Sequence, residues 1–369
     1  MTAPLEHSSQ WQHPKPPRPR WMLHLQATVW RFLMGLGMLF HKLAPPRPPK
    51  PNFQRQIPST IAGKPGMITL QFYVPKDYET QRRLARRWGG YPVVINFHGG
   101  GFTLGTATDD ARWCGTVVDE CHAIVVSVEY RKAPEMPFPT AVEDGVDAVL
   151  WIHEHADELG IDREKIALSG FSSGGNMAFT VPLRLYDEQT GALPDVKIRC
   201  IVPWYPSLDY TRTREQRRAT TVRKDHELPA IFTDLFDESY LHPPQAISLD
   251  SPYLSPGVAP TALLKNALPD EIIMHTCEWD MLLDEGQEFY RRLTSAPLNK
   301  KVWYKMVENV PHGWDKAPIP WKPTPGVREH YLRACREMRR VFGPQPGLVE
   351  RRTSKGASAA PRGSVQVVR

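Results

Sequence analysis

Between residues 68 and 342, seven short apolar runs alternate with segments of helical period or with polar connections, and this alternation restricts the architecture more than any other feature of the chain. "ITLQFYV" (68–74) has the two-residue alternation of an edge strand, whereas "VVINF" (93–97) and "AIVVSVEY" (123–130) are continuous apolar runs, as in strands buried on both faces. "KIALSG" (165–170), "IRCIVPWY" (198–205), "EIIMHT" (271–276) and "KVWYKMV" (301–307) complete the set. Residues 141–159, the stretch after 170 to about 186, 286–293 and 328–342 repeat their apolar positions with a helical period. Strand–helix alternation of this kind predicts a mostly parallel sheet covered on both faces. Residues 207–262 break the rhythm. They are polar, contain several prolines, and predict short helices inserted between two strands.

The two ends read differently from the middle. Residues 1–58 carry eight Lys/Arg against Glu6, a net +7, and residues 344–369 carry five against Glu350, a net +4. With +6 for the whole chain, residues 59–343 are left at about −5, so the basic character lies at the ends and predicts no nucleic-acid-binding core. The five cysteines are odd in number and none forms a CxxC pair. They predict neither a disulfide framework nor a zinc site, and favour a reducing compartment.

Residues 1–20 hold five prolines and no apolar periodicity and are expected to be disordered, as is the Gly/Ser/Arg/Pro-rich tail 344–369. Residues 44–58 are expected to be an extended, proline-rich linker. The intervening stretch 21–43 is the most apolar in the chain and has two readings. Its length is close to that of a membrane anchor. It is also amphipathic: His24, Thr28, Arg31, Gly35 and Lys42 share one stripe, and Met22, Leu25, Val29, Leu33, Leu36 and Phe40 lie on the other side. Arg31 in mid-segment would be costly at a bilayer centre, which favours an amphipathic helix packed on the protein or lying on a membrane face.

Two glycine-rich turns carry the chemistry. Gly170-Phe171-Ser172-Ser173-Gly174 follows a predicted strand and opens a predicted helix, the context in which G-x-S-x-G exposes a serine on a strained turn. Gly170 and Gly174 leave room that a side chain would fill. His98-Gly99-Gly100-Gly101 follows the strand 93–97, and three consecutive glycines cost folding entropy, so bare backbone is needed there. With the N–H of Ser173, those N–H groups suit an oxyanion that forms on a substrate carbonyl. A serine nucleophile needs a base, and the base an orienting acid. His312, between Pro311 and Gly313, lies in the loop after 301–307, and Asp280 in the loop after 271–276. Both belong at the carboxyl edge of the sheet with Ser172. Asp284 and Glu278 compete with Asp280 for the acid role, although Asp284 suits a cap of the following helix.

"HGGGF", "VEYRKAPEMPFPTAVED", "GFSSGGN", "EWDMLLDEG" and "PHGW", in that order, resemble the hormone-sensitive-lipase-like esterases, which include bacterial family IV esterases and arylacetamide deacetylases. The resemblance implies the α/β-hydrolase fold, with an eight-stranded, mostly parallel sheet and a helical cap. It implies Ser172 as nucleophile, His312 as base and Asp280 as acid, with Gly100, Gly101 and the Ser173 N–H as oxyanion hole. It makes His98 a structural residue of the glycine loop, the segment from Tyr130 to Asp144 the wall beneath the site, and the N-terminal helix with 207–262 the cap over the acyl pocket. Phe171, Ser173, Met281 and Trp314 depart from the family's usual residues, and Trp279 and Trp314 are candidates to line the pocket or to be ordinary core. The expected function is hydrolysis of short- to medium-chain acyl esters or acetylated small molecules through an acyl-enzyme, without metal or organic cofactor. Amides or lactones are an alternative for the same residues. A ligand-binding receptor is another, as in the gibberellin receptors that resemble this family, but those lack the histidine found here as His312. A cytoplasmic location is expected, with association to the endoplasmic reticulum membrane through residues 21–43 as an alternative, because arylacetamide deacetylases carry an N-terminal anchor.

Overall fold

The computed structural model describes residues 18–344, except 85–86, 88, 190–194, 317–321 and 323. Expectations for residues 1–17 and 345–369 fall outside these. Eight strands form one sheet: β1 (Phe53–Pro58), β2 (Met67–Tyr73), β3 (Tyr91–Phe97), β4 (Ile124–Glu129), β5 (Ile161–Phe171), β6 (Ile198–Trp204), β7 (Glu271–Trp279) and β8 (Lys301–Pro311). Their spatial order is β1-β2-β4-β3-β5-β6-β7-β8. The β1/β2 and β2/β4 pairs are antiparallel and the remaining five pairs parallel.

The parallel strands are apolar throughout because helices cover both faces, and successive side chains serve opposite sides. Val93, Ile95 and Phe97 of β3 join a core shared with α3 (Thr140–Glu154), α4 (Ser173–Gln189) and α8 (Leu283–Thr294). Val94 joins the opposite core, which contains Trp113 and Val117 of α2 (Ala111–Cys121) and Tyr331, Ala334 and Met338 of α9 (Val327–Phe342). All five cysteines are buried as thiols. Between β6 and β7 lie α5 (Arg214–Ala219), α6 (Ala230–Tyr240) and α7 (Thr261–Ala267), as the broken rhythm predicted.

The sequence expectations are corrected at three places. The 44–58 segment is not linker throughout: its second half is β1, which pairs with β2 from Phe53↔Phe72 to Pro58↔Met67. Consequently β2 is not an edge strand. Arg55 and Gln56 are exposed and only Ile57 is buried, so β1 lacks the apolar run that marks the inner strands. The helical pattern 141–159 is split into α3 and a single turn, Ala156–Leu159, closed by Gly160 at φ +69°.

The third correction concerns the N-terminus. Helix α1 (Arg20–Leu43) is present, and no described helix is long and apolar enough to cross a membrane, so the membrane-spanning reading of 21–43 is not supported. Order begins before residue 20, because Arg18 forms an ion pair with Glu238 at 2.9 Å. The helix packs on the protein through Leu23, Ala27, Met38 and His41. Its arginines also face inward: Arg31 donates to the carbonyls of Thr103 and Ala133 at 2.9 and 2.7 Å and pairs with Glu135. The apolar stripe that includes Leu25, Val29, Leu33, Leu36 and Phe40 points away from the protein.

Candidate active site

Strand β5 ends at Phe171 and α4 begins at Ser173, so Ser172 occupies the turn between them, with φ +55°. A β-carbon on Gly170 would collide with the carbonyl of Gly174, and one on Gly174 with the carbonyl of Phe97. Both positions therefore need glycine, and the tight turn they permit holds Ser172 in a sparsely populated conformation. Backbone bonds brace it: Ser172 N–H donates to Trp204 at 2.9 Å, and Asn176 N–H donates to the Ser172 carbonyl at 2.9 Å.

His312 lies one residue past the end of β8, with its Nε2 2.8 Å from Ser172 Oγ. Its Nδ1 is 2.6 Å from Asp280 Oδ2, and the other oxygen of Asp280 accepts the Leu282 N–H at 3.0 Å. Asp280 is buried, which makes an unscreened carboxylate available to the imidazole. The two competitors face elsewhere. Glu278 accepts the Asn309 N–H at 2.7 Å, and Asp284 pairs with Arg212 at 2.9 Å. Asp284 sits in the first turn of α8 without a capping bond, so the capping expectation does not hold.

The glycine loop follows β3. Gly100 and Gly101 have φ of +117° and +59°. A β-carbon on Gly101 would strike the ring of Phe236 from α6, so α6 rests directly on this loop. Among the described residues no protein acceptor takes the N–H of Gly100, Gly101 or Ser173. Ser173 also opens the 17-residue α4, whose N-terminus favours developing negative charge. His98 is buried, stacks on Tyr130 with centroids 4.2 Å apart, and lies through Nδ1 2.8 Å from the Gly99 carbonyl oxygen. Burial lowers its pKa and keeps it neutral. The Tyr130 hydroxyl donates to the His98 carbonyl at 2.8 Å, and Arg131 pairs with fully buried Asp144 at 2.7 Å, so the segment 130–144 braces the loop from below.

Sequence reasoning missed the support behind His312. Tyr205, just past β6 at φ +35°, sets its ring edge-on to His312 with centroids 4.9 Å apart. Its hydroxyl donates to Asp315 at 2.5 Å, as does that of Tyr331. Lys316 pairs with Asp315 and with Asp110, and its ammonium sits over the Phe171 ring. Burial raises Asp110 to about 6, an effect that Lys316 and the Asn96 amide oppose. The paired carboxylates hold Lys316 charged, above its usual value despite burial. These residues are scattered in sequence, and only Asp315-Lys316, three residues after His312, gives any local signal. Trp314 and Trp279 do not line the site. Trp314 is core against His330, and Trp279 stacks on His226 under Arg223.

Two chambers meet at Ser172 and His312. One, of about 410 Å³, is walled by Trp30, Leu33, Met34 and Met38 of α1, Phe232 and Phe236 of α6, and the glycine loop. The other, of about 30 Å³, lies under the cap against Ser207, Tyr210, Arg214 and Met281.

Residues 94–316 match the sequence profile of a family described by the alpha/beta hydrolase fold. The chain belongs to that family. Its motifs place it among the hormone-sensitive-lipase-like members, and the relatives agree. It is 34% identical over 206 residues to an arylesterase of Saccharolobus solfataricus, covering 55% of this chain and 62% of that protein. It is 30% identical over 261 residues to the carboxylic ester hydrolase LipN of Mycobacterium tuberculosis, covering 69% and 63%. The chain thus spans less than two thirds of the length of these curated relatives. The hyperthermophilic esterase of Pyrobaculum calidifontis superposes with a TM-score of 0.69 at 28% identity, covering 89% of this chain and 99% of that one.

Proposed function

We propose that this α/β-hydrolase cleaves carboxylic esters, with Ser172 as nucleophile, His312 as base and Asp280 as its orienting acid. The observation that carries the proposal is the unbroken chain from Ser172 Oγ to His312 Nε2 and from Nδ1 to Asp280. His312 takes the hydroxyl proton as Oγ attacks the acyl carbonyl, and Asp280 stabilises the imidazolium that results. The N–H groups of Gly100, Gly101 and Ser173 receive the oxyanion, where each donor is worth about 3 kcal/mol. Collapse releases the alcohol, protonated by His312, and water then cleaves the acyl-enzyme by the same steps in reverse.

The substrates are short- to medium-chain acyl esters or acetylated small molecules. The larger chamber is walled by α1 and α6, and its apolar lining suits a compact apolar group. The smaller one has space for a group of acetyl size. Relatives named as esterases agree with this reaction class. The test is hydrolysis of p-nitrophenyl acetate, butyrate, octanoate and palmitate beside Ser172→Ala. Wild-type turnover should favour acetate or butyrate, and the variant should lose about 10⁴-fold or more. Faster turnover of palmitate than of butyrate would overturn the substrate class, and unchanged turnover in the variant would overturn the mechanism.

A further inference from the structure

Helix α1 is built inside out. Trp21, Leu25, Phe32 and Leu39 are 66%, 56%, 66% and 52% exposed, and Val29, Leu33, Leu36 and Phe40 are exposed beside them. At 3.6 residues per turn these eight side chains fall within one face about 120° wide. The face runs about 28 Å along the helix from Trp21 to Phe40. The cationic side chains of the helix turn the other way. Arg20 donates to the carbonyls of Pro134 and Ser239, Arg31 pairs with Glu135, and Lys42 donates to Thr108 at 2.9 Å. A contiguous apolar face of this size on a folded protein marks an interaction surface.

We propose that the outer face of α1 docks on the surface of a zwitterionic lipid bilayer, with the helix lying in the plane of the interface and the larger chamber opening toward it. Three observations select this occupant. Among the eight side chains only the Trp21 indole can hydrogen-bond, and exposed Thr28 at the edge of the face turns its hydroxyl to the His24 carbonyl at 2.9 Å, whereas a protein partner would meet polar groups that fix its register. Leu33 belongs both to the exposed face and to the chamber wall, so a second copy seated there would cover the chamber that a lipid surface would supply. The terminal segments 1–17 and 345–369 offer few large side chains to cover the face: apart from Met1, the large apolar residues of 1–17 are Leu5 and Trp11, and those of 345–369 are Leu348 and four valines among five cations. Because α1 directs its cations inward, attachment is apolar and largely independent of salt. Docking itself does not depend on the esterase reading; delivery of an ester from the lipid to Ser172 rests on it.

The test floats the full-length protein with phosphatidylcholine vesicles at low and high salt. The wild type should rise with the vesicles at both. A variant combining Leu25→Gln, Phe32→Gln, Leu36→Gln and Leu39→Gln, none of which lines the chamber, should lose vesicle binding at least tenfold. It should still hydrolyse soluble p-nitrophenyl acetate at the wild-type rate, which also reports its folding. Wild-type protein that stays at the bottom would overturn the proposal, whatever the variant does. So would attachment that needs anionic lipid and disappears at high salt, or a wild-type dimer in light scattering that the variant converts to monomer. Protein that floats yet hydrolyses no ester would leave docking intact and refute the esterase reading.

Discussion

At the scale of single residues, geometry separates the carboxylate that meets His312, Asp280, from two neighbours of similar sequence standing. Asp280→Asn keeps the shape of the side chain but leaves His312 without its charge, and kcat should fall by about 10³–10⁴-fold. Asp284→Asn and Glu278→Gln should change kcat by no more than a few-fold, since these groups face Arg212 and a backbone N–H. Steady-state kinetics on p-nitrophenyl butyrate checks all three. Gly101→Ala tests the seat of the cap: a left-handed backbone and the Phe236 ring both oppose a β-carbon there. It should lower the melting temperature and kcat/KM, and adding Phe236→Ala should restore only part of the loss, because the backbone strain of about 1–3 kcal/mol remains. Ser172, His98 and the two glycine turns were legible because close backbone approach admits few residue types. Tyr205, Asp110 and Lys316 were not, because their roles come from contacts between distant segments.

At the scale of elements, the inner strands could be read from their apolar runs, and the cap insertion from the break in rhythm. Strand β1 could not. It pairs on one side only and buries Ile57 alone among its side chains, so the periodicity that announces a buried strand is missing. Helix α1 shows a different limit. Its hydrophobic stripe was plain in sequence, but the side facing the protein was decided by Arg18, Arg20 and Arg31 finding acceptors on α6 and on the loops around Thr103 and Ala133. The same helix sets the size of the larger chamber. Trp30 lines it and packs edge-on against Phe232 with centroids 4.6 Å apart. Trp30→Ala should move the chain-length optimum upward, raising the octanoate-to-acetate ratio of kcat/KM several-fold. A ratio unchanged or lowered would place the acyl chain elsewhere.

At the scale of the whole molecule, the buried charges behind the site link stability to pH. Burial raises Asp110 from 3.8 to about 6, so between those values the folded protein holds a proton that the unfolded chain has released. The stabilisation from this group is complete below about pH 4 and is lost as pH rises through about 6, a change of up to about 3 kcal/mol. Urea midpoints measured at pH 4.5 and 6.5 should reveal it by comparison with Asp110→Asn, whose midpoint should fall less over that interval than the wild type's. An identical pH dependence in both proteins would remove Asp110 as its source.

The central claim is that Ser172 becomes acylated. Rapid mixing with p-nitrophenyl acetate, followed by acid quench and peptide mass analysis, tests it most directly. We predict a burst of nitrophenol equal to the enzyme concentration, when deacylation is slowed at low pH, and an acetyl group on the peptide containing Ser172. An acetyl group on another residue, or an undiminished burst from Ser172→Ala, would contradict the account.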